Sequence, residues 1–159
     1  MSLIGIITNQ KNESYVIKEL SKYVPIDNII FITEKNIKNI KNVKFQTILI
    51  DREIKSSNSL KNIISNSKYI ILNSDLTNID LSVLNNIKLN IITYGFNNKA
   101  TFTVSSIGED KIIICLQRII KNVFEEKFEP QEYTIYMEQS IGISAIIGTI
   151  CITLIYNKR

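Results

Sequence analysis

The chain has 159 residues, 45% of them apolar, and a formal net charge of +4, which suits one ordinary domain with a real core. It contains no His and no Trp, only five Gly and two Pro. The missing His excludes Ser-His-Asp and Cys-His centres, His-ligated zinc and an imidazole base, so any catalysis would rest on carboxylates, Lys, Tyr or a bound nucleotide.

Met1 to Thr8 has no basic leader region, and LIGIIT at 3–8 reads directly as a short β-branched strand without polar alternation, as expected for a strand covered on both faces. A helix follows: Asn12 is placed to cap it, and Val16, Leu20, Tyr23 and Val24 fall at helical spacing before Pro25 stops it. NIIFIT at 28–33 is the second strand. Lys35, Lys38, Lys41 and Lys44 then recur every third residue, and they read as a solvated connection instead of a phosphate-binding edge, so nucleic acid is not the expected partner.

FQTILID at 45–51 is a third strand, the Ser-rich stretch at 56–59 a turn, and Leu60, Ile63 and Ile64 mark a short helix. YIILNSD at 69–75 is a fourth strand, Ile79, Leu81, Val83, Leu84 and Ile87 lie in another short helix, and LNIITYG at 89–95 is a fifth strand. Strands separated by helical or polar segments imply right-handed crossovers and a mostly parallel sheet.

The pattern then changes. ATFTVSSI (100–107), DKIIICLQ (110–117) and EYTIYM (132–137) are strand-like with connections too short for helices, which predicts an antiparallel extension with GED at 108–110 as a tight turn. Residues 141–156 carry no charge and precede Asn157, Lys158 and Arg159; sixteen residues fall short of the roughly 20 of a bilayer span, so a helix buried on the sheet is expected and a membrane tether is the alternative. Cys115 and Cys151 sit in apolar runs without ligand spacing and read as buried thiols in a reducing cytoplasm. The expected fold is therefore an α/β, Rossmann-like, three-layer domain over 1–159, its mostly parallel sheet extended by antiparallel strands and closed by the apolar C-terminal helix.

Ligands of open α/β sheets bind beyond the carboxyl ends of the strands, here residues 8–14, 33–34, 51–53, 73–75 and 94–98. A phosphate loop needs bare glycine N–H groups, a Lys and a Ser or Thr, but TNQKNES after the first strand has no Gly. Asp51 ends the third strand, where a phosphorylation receiver keeps its acceptor. Thr8-Asn9 and Tyr94-Gly95 lack the acidic pair and the Lys such a site requires, so Asp51 reads as a helix cap or exposed strand end. No GxGxxG is present for a dinucleotide.

YIILNSD, a helix and then NIITYGFNNKA resemble the central, ATP-binding domain of Mur ligases, in which an Asn-containing strand end is followed about 20 residues later by a TYG-type strand end. IGISAIIGTICITLIYN at 141–157 is similar to that family's small/large terminal helix, and SLIGIITNQKNESYVIKEL at 2–20 can be laid on its first strand and phosphate loop. The resemblance implies Lys11 and Ser14 as remnants of that loop, while the His and Asn positions of the terminal helix fall on Ile141, Gly142 and Ala145. It implies a scaffold kept and a chemistry lost, with no cofactor, no metal ligands and no catalytic residue, since phosphoryl transfer depends on phosphate and magnesium positioning. The resemblance covers the central domain alone, and it implies an expectation that the substrate-binding and third domains of a complete ligase are absent.

The favoured expectation is a non-catalytic Mur-ligase-like domain, its pathway unassigned but tied to the cell envelope by the resemblance. It would bind a protein or small molecule around Asn73, Asp75, Tyr94, Asn97 and Asn98, with self-association open and neither nucleic acid nor membrane as partner. The structural alternative makes Asn73 and Asp75 turn and capping groups, Gly95 a backbone necessity and Asn97-Asn98 a loop. Two other readings stand beside it: a subunit of an ATP-dependent ligase or transferase, and a membrane-tethered factor using 141–156.

Overall fold

The structure, a computed structural model, describes residues 2–77 and 90–159. Five strands, β1 (Ile4–Ile7), β2 (Ile29–Phe31), β3 (Thr47–Ile50), β4 (Tyr69–Asn73) and β5 (Asn90–Gly95), run parallel in the order β2-β1-β3-β4-β5. β1, β3 and β4 are buried along their whole length, which is why their sequences show continuous Ile and Leu and no polar alternation. The helix expected through Ile79, Leu81, Val83, Leu84 and Ile87 lies outside the described residues.

Side chains leave these strands alternately to two cores. Ile4, Ile6, Leu49, Ile71, Ile92 and Tyr94 face α1 (Glu13–Leu20) and α3 (Ile143–Tyr156), whereas Ile7, Ile48, Ile50, Ile70 and Leu72 face α2 (Ser57–Ser65) and a 3₁₀ turn at Ile37–Asn39. The result is the three-layer arrangement expected. Ile146, Ile147, Cys151, Ile152 and Ile155 of α3 are completely buried, and at about 2 kcal/mol per buried side chain they hold the helix on the sheet. Gly148 makes this close packing feasible, because a Cβ there would lie 2.7 Å from the Tyr94 hydroxyl and 2.8 Å from Leu49 Cδ1. Among the described residues, no helix is long and apolar enough to cross a membrane.

The sheet continues beyond β5 into β6 (Phe102–Ile107) and β7 (Lys111–Leu116), then, after a small separate hairpin of β8 (Ile120–Lys121) and β9 (Lys127–Phe128), into β10 (Gln131–Tyr136). The β6-β7-β10 pairings are antiparallel, and Gly108 N–H donates to the Lys111 carbonyl (2.8 Å) across the expected GED turn. β6 itself runs parallel to β5 and pairs with it only at Tyr94–Phe102 and Gly95–Thr103. So short a connection cannot reverse around a helix; the chain steps sideways and continues in the same direction.

Several local expectations are corrected. α1 ends at Leu20, not Pro25, because Tyr23 and Val24 N–H both return to the Leu20 carbonyl and close the last turn, leaving Tyr23 exposed. Asn12 occupies the N-cap position of α1, but its side chain makes no cap hydrogen bond. Ser57 to Ser59 lie inside α2 instead of a turn. Cys151 is fully buried and its thiol pushed far up by desolvation, whereas Cys115 is only half-buried, on the face of β7 opposite Ile112 and Ile114. The β8–β9 hairpin was not anticipated; the buried Asn122 organises it, its Oδ1 accepting from Phe124 and Glu126 N–H.

Candidate functional site

The chain leaves β1 toward β2 on one side, and β3 lies on the other, so a crevice opens at the carboxyl ends of these strands. Two adjoining lobes occupy it. The first, about 410 Å³, has the half-buried Ile54 as its apolar wall over the buried Ile7 and Ile32, with Gln10, Glu13 and Lys35 around it. The second, about 600 Å³, is lined by Asn9, Asp51, Glu53 and Lys55. Glu34 and Arg52 line both.

A buried chain of polar groups lies behind this crevice. Asp51, 7% exposed, accepts from the Thr8 hydroxyl (3.1 Å) and from the Tyr94 hydroxyl (2.6 Å). Asn12 Nδ2 donates to Thr8 Oγ1 (3.1 Å), and Asn12 Oδ1 accepts from Gly142 N–H (3.2 Å) at the start of α3. β1, β3, β5, α1 and α3 are therefore tied together through one carboxylate. Burial raises the Asp51 pKa, opposed by hydrogen bonds from Tyr94, Ser144, Thr8 and Asn73. Tyr94 is driven well above the usual phenol range, first by its own burial and then by the Asp51 charge. Asp51 is thus neither the helix cap nor the exposed strand end expected from sequence.

This chain of bonds also fixes the turn after β1. Asn12 N–H returns to the Asn9 carbonyl (2.9 Å) and Glu13 N–H to the Gln10 carbonyl, so neither is free for a phosphate oxygen. The 1%-exposed side chain of Asn12 lies under the turn, and Tyr15 is in the core. Lys11 and Ser14 are both exposed on the outside of the turn.

The other expected residues sit at the ends of β4 and β5. Asn73 is buried and its Oδ1 accepts from Asp75 N–H (3.0 Å). The exposed Asp75 accepts from Phe96 N–H (2.7 Å) and from Asn97 Nδ2 (2.9 Å), and Asn97 Nδ2 also donates to Ser74 Oγ (2.6 Å). Asn98 is exposed, its carbonyl accepting from Gln117 Nε2 (3.0 Å). Tyr94 is completely buried and faces Asp51 and Gly148 instead of a cleft. Asp75, Asn97 and Ser74 thus form one local cluster, separate from the crevice lined by Glu34 and Arg52. Those two residues belonged to the strand-end segments inspected in the sequence, but no motif singled them out. Their only signal was position, one at the end of β2 and one at the end of β3.

Among the described residues, no group of three or more Asp, Glu, Cys or His side chains is placed to hold a metal ion. No protein-family model matches the chain, and no curated protein matches it. Among solved structures, the chain overlaps the apo-structure of D-lactate dehydrogenase from Escherichia coli with a TM-score of 0.41 and 19% identity, over 57% of this chain and 30% of that one. The chain therefore spans less than a third of that enzyme, and the enzyme's activity says nothing about it.

Proposed function

We propose that this chain is a non-catalytic, Mur-ligase-like binding domain whose ligand site is the crevice at the carboxyl ends of β1, β2 and β3. The observation that carries this reading is the side chain of Asn12. Where a phosphate loop would present converging N–H groups, Asn12 fills the space beneath the turn and joins Thr8 to Gly142. The resemblance to Mur ligases is supported by element order: YIILNSD holds β4 and the two residues after it, TYG ends β5, and the apolar terminal segment is the helix α3 that covers the sheet. A scaffold of this kind with its phosphate turn closed is suited to binding and lacks the positioning that phosphoryl transfer requires.

The test is thermal unfolding of the whole chain with and without millimolar ATP and magnesium. No change in midpoint is expected. A rise of several degrees, the response to a ligand far above its dissociation constant, would overturn the reading in favour of an ATP-dependent ligase subunit.

A further inference from the structure

We propose that the crevice takes a small organic anion, its acidic group on the Arg52 guanidinium with Lys35 beside it, and its apolar body against the half-buried Ile54, over a floor closed by the buried Ile7 and Ile32. This rests on the reading of the crevice as the ligand site and adds the chemical class of the ligand. The argument follows from how the charges in the walls are used.

The carboxylates that could repel an anion are largely engaged elsewhere. Glu34 accepts from Lys55 N–H and from the Ser56 hydroxyl (3.2 Å), which places its charge at the N-terminal end of α2. Glu13 lies in the first turn of α1, where the helix dipole favours a negative charge. Asp51 is held by the hydroxyls of Thr8 and Tyr94, and Glu53 is engaged as well. The cations differ. Among the described residues, neither the exposed Arg52 guanidinium nor the exposed Lys35 ammonium has a hydrogen-bond or ion-pair partner.

Arg52, like Glu34, lines both lobes, and among the described residues it is the one cation that does so. A planar guanidinium there offers a paired donor edge to a carboxylate or a phosphate monoester. Both sources share the chemistry of an oxyanion next to a hydrocarbon or aromatic body. A pocket with a large apolar area and a few fixed polar groups is the usual form of a small-molecule site.

The test is an amide and guanidinium NMR titration of the whole chain with four probes of one shape: 3-phenylpropionate, phenyl phosphate, 3-phenylpropanol and phenethylamine. Shifts are expected at Thr33, Lys35 and Arg52 with the two anions, the stronger of them identifying carboxylate or phosphate as the source. The alcohol and the amine should bind at least tenfold more weakly. Arg52→Gln, a surface change that leaves the core intact, should weaken the anions about tenfold, and Lys35→Gln by a smaller factor. If the alcohol or amine binds the same residues as tightly as the anions, or Arg52→Gln leaves the affinities unchanged, the anion assignment is wrong while the crevice remains a site. If no probe moves these resonances, the crevice reading itself falls, independently of the result with ATP.

Discussion

Two polar clusters occupy the same carboxyl edge of the sheet and are built in opposite ways. Around Asp51 the side chains are buried and come from the ends of β1 and β3, from β5 and from the start of α1, with a further bond to the start of α3, and the completely buried Tyr94 hydroxyl in particular is out of reach of solvent. Around Asp75 the groups come from two adjacent strand ends, and Asp75 itself is exposed. The first cluster holds the fold together over long sequence distances; the second shapes one loop. Removing a partner from a buried cluster leaves an unsatisfied polar group, whereas water can satisfy its exposed counterpart.

The largest expected effect is therefore Asp51→Ala, which leaves the Tyr94 and Thr8 hydroxyls without their acceptor and should cost about 3 kcal/mol, or roughly 10 °C in unfolding midpoint. Asp51→Asn keeps the shape and one acceptor, so its loss should be smaller. It also tests the charge. Because burial raises the Asp51 pKa in the folded state, the carboxyl supports the fold most fully below its unfolded value of about 4, and this contribution is lost as pH rises through the folded value. Urea midpoints between pH 3.5 and 7 should show the wild type losing stability relative to Asp51→Asn as pH increases. A difference between the two that does not change with pH would show that Asp51 titrates in the folded protein as it does in the unfolded chain.

Tyr94→Phe comes next, at about 2 kcal/mol, the range for a hydrogen bond to a charged group. It also has a second effect. With one donor fewer, Asp51 should titrate at still higher pH, which extends the loss of stability to higher pH. A Phe variant as stable as the wild type would show that the 2.6 Å contact contributes nothing net.

The contrast between the clusters also explains what could be read from sequence. The strands were legible because uninterrupted runs such as TILI and YIIL can only be buried on both faces, and α3 because its apolar run is too short for a bilayer and too long to leave uncovered. The Asp75 cluster was partly legible too, since Asn73, Ser74 and Asp75 are adjacent in the chain and have strong turn preferences. Asp51 was misread because its partners Thr8 and Tyr94 are each 43 residues away, and no local pattern brings them to it. Arg52 escaped for a related reason: a single charge after a strand has no periodicity, and its place between two lobes exists only once β2 and β3 flank β1.

In the exposed cluster the larger perturbation is steric. Gly95 has φ +156°, and a Cβ there would lie 2.5 Å from Asp75 Oδ2, so Gly95→Ala should cost about 1.5 kcal/mol from clash and backbone strain. Asp75→Ala should restore part of that loss in the double variant, because the clashing atoms are gone while the strain remains. Strict additivity of the two changes would mean that the backbone conformation alone requires glycine.

Asn97→Ala is the smallest expected change and the sharpest check on the contrast. Asn97 connects Ser74, Asp75 and Lys99 N–H through three hydrogen bonds, more than any single residue contributes to Asp51. If the number of bonds decided stability, this variant would be among the most damaging. Exposure argues otherwise: the Asp75 carboxylate and its neighbours can turn to solvent, so the expected loss in urea unfolding is about 0.5 kcal/mol. A loss comparable to that of Tyr94→Phe would show that the loop after β5 is as integral to the fold as the buried chain from Gly142 to Tyr94, and the division into a structural and a local cluster would have to be abandoned.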